Sequence, residues 1–240
     1  KFFYDERGSK LFNKITNLKE YYPTKKELEI LSKYKSEIGK KLPKKSTIVE
    51  FGSGSNKKIN QFIKSLNLPN EYVPIDISKE YLFNNASMVA RRFSNLKVTA
   101  ICADFSQTKK LRNHIVKKKN IVSFFPGSTI GNYLPKDAKK LLKKFSQIIG
   151  KNSHLVVGVD LVKNKKILEK AYNDREGITA KFNKNILKVI NSKYGLNFNL
   201  SNFEHKAFYN VKKNRIEMHL SAKKNFSQVL NKKNIKCVTG

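Results

Sequence analysis

The absences in this sequence narrow it first. Its two cysteines, Cys102 and Cys237, stand far apart and form no Cys-x-x-Cys pair, so neither a disulfide framework nor a zinc site is indicated, and a reducing cytosol fits. No run approaches the roughly 18 consecutive apolar residues that a membrane span needs. The opening segment, KFFYDERGS, has neither a signal-type apolar region nor an initiator Met. A cytoplasmic protein with no membrane partner is the expectation, and the sequence reads as a piece of a longer chain. Arginine is scarce too, supplied only by Arg7, Arg91, Arg92, Arg112, Arg175 and Arg215, although 50 basic residues face 18 acidic ones for a net charge of +32. Such a charge on its own suggests a polyanion partner, but nucleic-acid readers favour the planar fork of Arg. Lysines spread along the whole chain beside many Asn and Ile instead suggest compositional drift on solvated faces, and nucleic acid is not the expected partner.

No internal repeat and no low-complexity linker interrupts the 240 residues, and a 39% apolar content suits a folded domain with a smaller appendage. Thr24 and Glu27 form a Thr-x-x-Glu capping box at the head of an amphipathic helix carrying Leu28, Leu31, Ile38 and Leu42, which Gly39 and Pro43 help to end. Beyond it apolar strands alternate with helices. TIVEF (47–51), EYVPIDI (71–77), KVTAICADF (97–105), NIVSFFPG (120–127) and HLVVGVD (154–160) read as strands, and this rhythm predicts a parallel, doubly wound α/β sheet. From about Asn164 the pattern changes to helices over about 164–173 and 178–193, then to two alternating stretches, FEHKAFYN and RIEMHLSA, joined as a hairpin by VKKN. A second domain would therefore be interleaved with the first.

In open α/β sheets ligands bind outside the carboxyl ends of the strands, so the residues just past each strand are the candidates. After the first comes Glu50-Phe-Gly52-Ser53-Gly54-Ser55, with no third glycine to complete a dinucleotide fingerprint and no Gly-Lys-Ser/Thr to make a phosphate loop. Alone it is as readily a tight turn. Asp76 ends the second strand at the distance expected of a carboxylate that accepts from ribose hydroxyls, and Asp104-Phe105 ends the third, offering a carboxylate for an exocyclic amine and a ring for a base. Each Asp singly is better read as a helix cap. Together the three features describe a nucleoside cofactor without a pyrophosphate, S-adenosyl-L-methionine (SAM). After the fourth strand, FFPGSTIGNYLP lacks the Asp/Asn-Pro-Pro-Tyr/Phe of enzymes that methylate base amines, while Asn132 offers both an acceptor and a donor to a small amino acid.

On these residues, and on FFYDERGSKLFNKITNLKEYYPT, VEFGSGSNKK, YVPIDIS, FFPGSTIGN, VGVDLVKN, AYND with GITAKFNKNIL, and FEHKAFYN with RIEMHL, nearly the whole chain resembles the histidine-specific SAM-dependent methyltransferases of ergothioneine biosynthesis. The resemblance implies trimethylation of the α-amine of L-histidine to hercynine. It also implies a class I SAM-dependent methyltransferase fold, a Rossmann-like doubly wound sheet over 27–162, and an α+β substrate-binding lobe built from 1–26 and 163–240. Carried over, the cofactor residues are Tyr21, Gly52, Ser53, Gly54, Lys58, Asp76, Asp104 and Phe105. The substrate residues are Tyr4, Phe12, Tyr21, Gly127, Asn132, Tyr172 and Met218, with Asn132 and Tyr4 closest to the reacting amine. On pattern alone Phe12 and Met218 are core residues, Tyr172 a helix-face aromatic and Lys58 a solvated lysine. One departure stands out: the family recognises imidazole through a Thr-Glu-x-Ser-type segment near its C-terminus, and this sequence stops at Gly240 before one, so the lobe is expected to be incomplete. Related enzymes methylate other amino acids, tryptophan derivatives included.

The implied reaction is in-line displacement at a sulfonium methyl by an unprotonated amine, held about 3 to 3.5 Å away, in which positioning supplies most of the catalysis. No metal is required, and His114, His154, His205 and His219 show no ligand spacing. A monomer acting on a small amino acid is expected. The rival expectations are a nucleic-acid methyltransferase, motivated by the charge, and a SAM-binding piece without activity.

Overall fold

The computed structural model describes residues 3–54, 56–104, 107–230 and 233–237. In chain order the elements are α1 (Glu6–Ile15), α2 (Tyr22–Lys33), α3 (Lys35–Lys41), β1 (Thr47–Phe51), α4 (Asn56–Ser65), β2 (Glu71–Asp76), α5 (Lys79–Arg92), β3 (Lys97–Val98), β4 (Ile101–Cys102), α6 (Thr108–Ile115), β5 (Ile121–Phe125), α7 (Pro135–Ile149) and β6 (His154–Val157). They continue with α8 (Lys165–Tyr172), α9 (Ile178–Tyr194), β7 (Phe203–Asn210), β8 (Arg215–Ala222), β9 (Phe226–Leu230) and β10 (Lys233–Cys237). The chain divides into two compact units, Pro23–Asp160 and Lys1–Tyr22 with Leu161–Gly240.

The first unit is a wholly parallel sheet in the order β3-β2-β1-β5-β6, with β4 continuing the line of β3 along β2. The chain winds outward from β1 to one edge and then, through β5, to the other, so the order reverses beside β1. Alternation on β1 serves both faces. Val49 and Phe51 join Leu111 and Ile115 of α6 and Leu141, Phe145 and Ile148 of α7. Ile48 meets Ile59, Phe62 and Ile63 of α4, Val89 of α5 and Leu31 of α2. A parallel sheet covered on both faces reads as continuous apolar runs, and TIVEF and IVSFF are buried at every position.

Local departures from the expected pattern have physical causes. The third strand is interrupted between Val98 and Ile101. Its neighbour β2 carries Pro74, which has no N–H to donate to that edge, and the ladder breaks opposite it. The first long helix is broken at Tyr34, and its expected capping box does not form: α2 starts at Tyr22, leaving Thr24 buried inside the helix. Gly39 lies within α3 and does not end it. A Cβ there would stand 2.1 Å from the Ser65 carbonyl oxygen, so glycine is required by the close approach of the end of α4.

In the second unit α1 packs on α9, and α8 and α9 pack on the antiparallel hairpin β7–β8, whose register runs from Phe203 opposite Ala222 to Asn210 opposite Arg215. Asp5 caps α1, its carboxylate accepting from the Gly8 N–H at 2.8 Å and the Asn185 side-chain amide at 2.6 Å. A further antiparallel pair, β9–β10, follows, where the sequence pattern predicts no strand.

Phe145 stacks on Phe51 at 3.8 Å between ring centroids and meets Phe125 edge-on at 5.0 Å, with no exposed surface. Phe145→Ala is expected to cost about 3 to 5 kcal/mol, read as a lowered urea midpoint at an unchanged slope.

Candidate active site

The reversal of strand order beside β1 puts the carboxyl ends of β1, β2, β4 and β5 together, and the chemistry gathers there. The chain leaves β1 through Gly52, whose φ of +78° is open to glycine at little cost. The N–H groups of Gly52 and Ser53 both reach the Ile75 carbonyl, at 2.9 and 3.3 Å, which lashes the turn to β2. Gly54 is exposed, and a Cβ added to it would meet nothing within 4 Å, so open space lies beside the loop. From below, the Asn85 side-chain amide donates to the Gly54 carbonyl at 3.0 Å, and that of Asn56 donates to the Asn85 carbonyl at 3.2 Å.

Asp76 ends β2, where its carboxylate accepts from the Ser78 N–H at 2.8 Å, and burial holds its pKa above the usual carboxylate value. The Ala103 N–H donates to the Asp76 carbonyl at 3.0 Å, which ties the end of β4, with Asp104 just beyond, to the end of β2. Both carboxylates are half-buried. The expected base-packing ring, Phe105, lies outside the described residues.

Beneath the glycine turn is a buried trio. The Tyr72 hydroxyl donates to the Glu50 carboxylate through a short hydrogen bond and lies 3.2 Å from the Ser53 hydroxyl. Burial pushes the Glu50 carboxyl up to about 7, with Asp76 adding to the rise, while the bonds from Tyr72 and Ser53 and the charge of Lys58 pull it down. Burial together with the Glu50 charge raises the Tyr72 hydroxyl well above its ordinary value.

After β5 the chain turns through Pro126, Gly127 at φ +81° and Ser128 at φ +53°, and into a single 3-10 turn, Thr129–Asn132. The Thr129 hydroxyl donates to the Pro126 carbonyl at 2.9 Å, and the Asp160 N–H donates to the Ser128 hydroxyl at 3.0 Å. Asn132 ends this turn exposed. Lys58, on the first turns of α4, is only 14% exposed and so is not the solvated lysine that pattern alone suggests; its ammonium lies 2.6 Å from Glu27. Lys57 beside it is exposed.

In the second unit Tyr4, Phe12, Tyr21 and Tyr172 are linked ring to ring. Tyr4 meets Phe12 at 5.6 Å, Phe12 meets Tyr21 at 6.3 Å and Tyr21 meets Tyr172 at 5.8 Å, each near perpendicular. Such edge-to-face pairs are the favoured aromatic geometry. Phe182 of α9 lies under Tyr4 and Phe12, at 5.7 and 5.9 Å, and had not been singled out in the sequence. Met218 stands half-buried on β8, opposite Ala207. Tyr172 is held from behind: the Asn183 amide donates to His205 Nδ1 at 3.0 Å, which leaves Nε2–H to donate to the Tyr172 carbonyl at 2.9 Å. His205 thus has a definite structural task. Among the described residues no group of three His, Cys, Asp or Glu side chains could hold a metal ion.

These groups suit SAM by their own chemistry. Asp76 offers a carboxylate to ribose hydroxyls, Asp104 one to an amine, Lys58 an ammonium to a carboxylate, and the turn after β1 open space at Gly54. A parallel sheet with this turn at its switch point and carboxylates on the two neighbouring strand ends defines a nucleoside-cofactor domain of the doubly wound α/β class. The chain belongs to the SAM-dependent, histidine-specific methyltransferase family, whose profile matches residues 1–239. It is 36% identical over 225 residues to the histidine N-alpha-methyltransferase of Mycobacterium tuberculosis, covering 92% of this chain and 69% of that one. Similarity extends to ergothioneine biosynthesis protein 1 of Neurospora crassa, 33% identical over 80% of this chain and 22% of that one. It reaches, at 25% identity over 60% of this chain and 44% of the other, the 4-dimethylallyltryptophan N-methyltransferase easF of Epichloe festucae var. lolii. The chain is accordingly a SAM-dependent methyltransferase.

The buried Glu50 has a consequence for stability. Its pKa is about 7 in the fold and returns to about 4.5 in the unfolded chain, so the folded state holds the proton more tightly. Stability from this group is full below about pH 4.5 and is lost as pH rises through about 7, by on the order of 3 kcal/mol. Urea midpoints for the protein should fall between pH 5 and pH 8, and Glu50→Gln should flatten that fall.

Proposed function

We propose that the protein transfers methyl groups from SAM to the α-amine of free L-histidine, giving the Nα-trimethyl product of ergothioneine biosynthesis. We take it to act as a cytoplasmic monomer, with nucleic acid neither substrate nor partner. The observation that carries this reading is the match of the whole length to the histidine-specific family, at 36% identity to a relative that bears that activity in its name.

In this reading Asp76 and Asp104 bind the nucleoside, Gly52, Ser53 and Gly54 give it a close backbone wall, and Lys58 receives the carboxylate. Tyr21 and Phe105 are assigned to the cofactor on sequence grounds alone. When bound, the cofactor supplies an electrophilic methyl on a sulfonium sulfur. The rest falls to the chain's own residues. A free amino acid is an ammonium at neutral pH and must lose its proton to become a nucleophile. Asn132, as both donor and acceptor, holds the amino acid's polar substituents, with Tyr172 beside it in role and Gly127 leaving room. Tyr4 offers a hydroxyl to the amine, while Phe12 and Met218 are apolar walls that exclude water. A pocket with few fixed polar contacts to the nitrogen accommodates each added methyl.

The scattered lysines favour a small substrate over a polyanion, because their charge does not coincide with the Arg forks that read nucleic acids. The similarity to a tryptophan-derivative methyltransferase gives a second candidate substrate class. Mass spectrometry of reactions with SAM and a panel of amino acids separates these readings. The expected result is a gain of up to three methyls on histidine, reduced by about a hundredfold or more in Asn132→Ala, as the loss of positioning implies. Methylation of a tryptophan derivative but not histidine would move the substrate. Tight tRNA binding that falls steeply with salt, without any methylated amino acid, would overturn the proposal.

A further inference from the structure

Glu27 was singled out in the sequence only as half of a capping box, and the structure gives it another task. Its carboxylate accepts from the Gly127 N–H through both oxygens, each at 2.9 Å, while the Lys58 ammonium lies 2.6 Å from one of them. Both side chains are about 15% exposed or less. Four segments of the sheet unit converge on this one group: α2 brings the carboxylate, α4 the ammonium, the turn after β5 the N–H, and Gly158 after β6 the space. A Cβ on Gly158 would stand 1.9 Å from Glu27 Oε1, so any side chain there would expel the carboxylate. A Cβ on Gly127 would stand 3.1 Å from the Lys58 ammonium, and the φ of +81° disfavours one in any case.

A charge pair this far from water contributes little net stability, because desolvation offsets most of the attraction. What it does supply is a fixed relation between two points. On the reading above, Lys58 serves the cofactor, whereas Gly127 opens the turn that ends in Asn132 and serves the amino acid. We propose that Glu27 is a positioning residue that links the two, so that a carboxylate arriving at Lys58 is transmitted through Glu27 to the Gly127 turn. An anion drawn to Lys58 competes with Glu27 for the ammonium, and the freed share of the Glu27 charge falls on the Gly127 N–H, whose hydrogen bond strengthens. The inference rests on the assignment of Lys58 to the cofactor's carboxylate.

The test reads the Gly127 amide directly and needs no turnover. Protein labelled with ¹⁵N-glycine is titrated with S-adenosylhomocysteine, which carries the carboxylate, and with methylthioadenosine, which lacks it; Gly127→Ala identifies the resonance. We expect the Gly127 amide to move downfield with S-adenosylhomocysteine and to stay in place with methylthioadenosine. The response should vanish in Lys58→Met and in Glu27→Gln, which keeps an acceptor oxygen for the turn but not the charge. Calorimetry on the same samples reports ligand binding. Bound S-adenosylhomocysteine with an unmoved Gly127 amide, or with an equal shift in Glu27→Gln, overturns the linkage and leaves the methyltransferase reading standing. No heat from S-adenosylhomocysteine in the unaltered protein overturns the cofactor assignment and the linkage with it.

Discussion

The parallel pairing of β1 on both sides is the constraint on which the rest depends. Thr47 to Phe51 bond β2 along one edge, and Thr47 to Glu50 bond β5 along the other, all within a buried strand. A strand so placed can neither shift register nor tilt without exposing apolar side chains on two faces. Its end is therefore fixed, and so is the point at which the chain must turn away. Because winding reverses direction across this strand, the helices that follow β1 and β5 pack on opposite faces, the arrangement beside which open α/β sheets bind their ligands. The glycine turn, the Asp76 carboxylate and the Gly127 turn are all consequences of that one arrangement. Even the buried Glu50 belongs to it, since the Tyr72 hydroxyl reaches it from the neighbouring strand.

What could be read from the sequence follows from what is locally determined. Continuous apolar runs such as TIVEF and IVSFF announce buried parallel strands because both faces must be covered, and the strand-end rule then finds Gly52, Asp76 and Asp104 without coordinates. The hairpin of β7 and β8 was legible through its alternation. The break in the third strand was also visible in principle, since Pro74 sits in EYVPIDI and cannot donate across its outer edge. Recognising it required knowing which strand would lie there, which is a tertiary fact.

Glu27 shows the limit more sharply. Its spacing from Thr24 obeys a helix-start rule, yet the helix begins earlier, and the carboxylate finds partners 31 and 100 positions away, at Lys58 and Gly127. A local rule offers one hydrogen bond to a backbone N–H; the fold offers an N–H shared between both oxygens and an ammonium. The stronger set wins. No strand-end rule could have found Glu27, because it precedes the first strand. Phe182 and Asn183 were hidden for a similar reason, being ordinary members of a long helix until the rings and the imidazole that face them are known.

The charge of the chain illustrates how counting and placing can disagree. Taken as a sum, +32 points to a polyanion, and 50 basic residues are spread along the chain. Taken by position, the informative charges are the few acidic ones. Glu27 holds an ammonium and a turn, Glu50 sits under the glycine loop, Glu71 binds Lys118 and the Thr99 hydroxyl, and Glu217 joins Arg215 to His219. Acidic groups are outnumbered almost three to one, and several of them are committed to specific contacts with basic partners. At Glu217 such contacts act directly: the hydrogen bonds from His219 first and Arg215 next draw its pKa down to about 2. Glu50 and Asp76 go the other way: burial outweighs the hydrogen bonds that would lower them, and both carboxyls rise. Counting charges therefore says less about this fold than placing them does: Lys58, one of many lysines, and Glu27, one of few carboxylates, matter through the contact they make with each other.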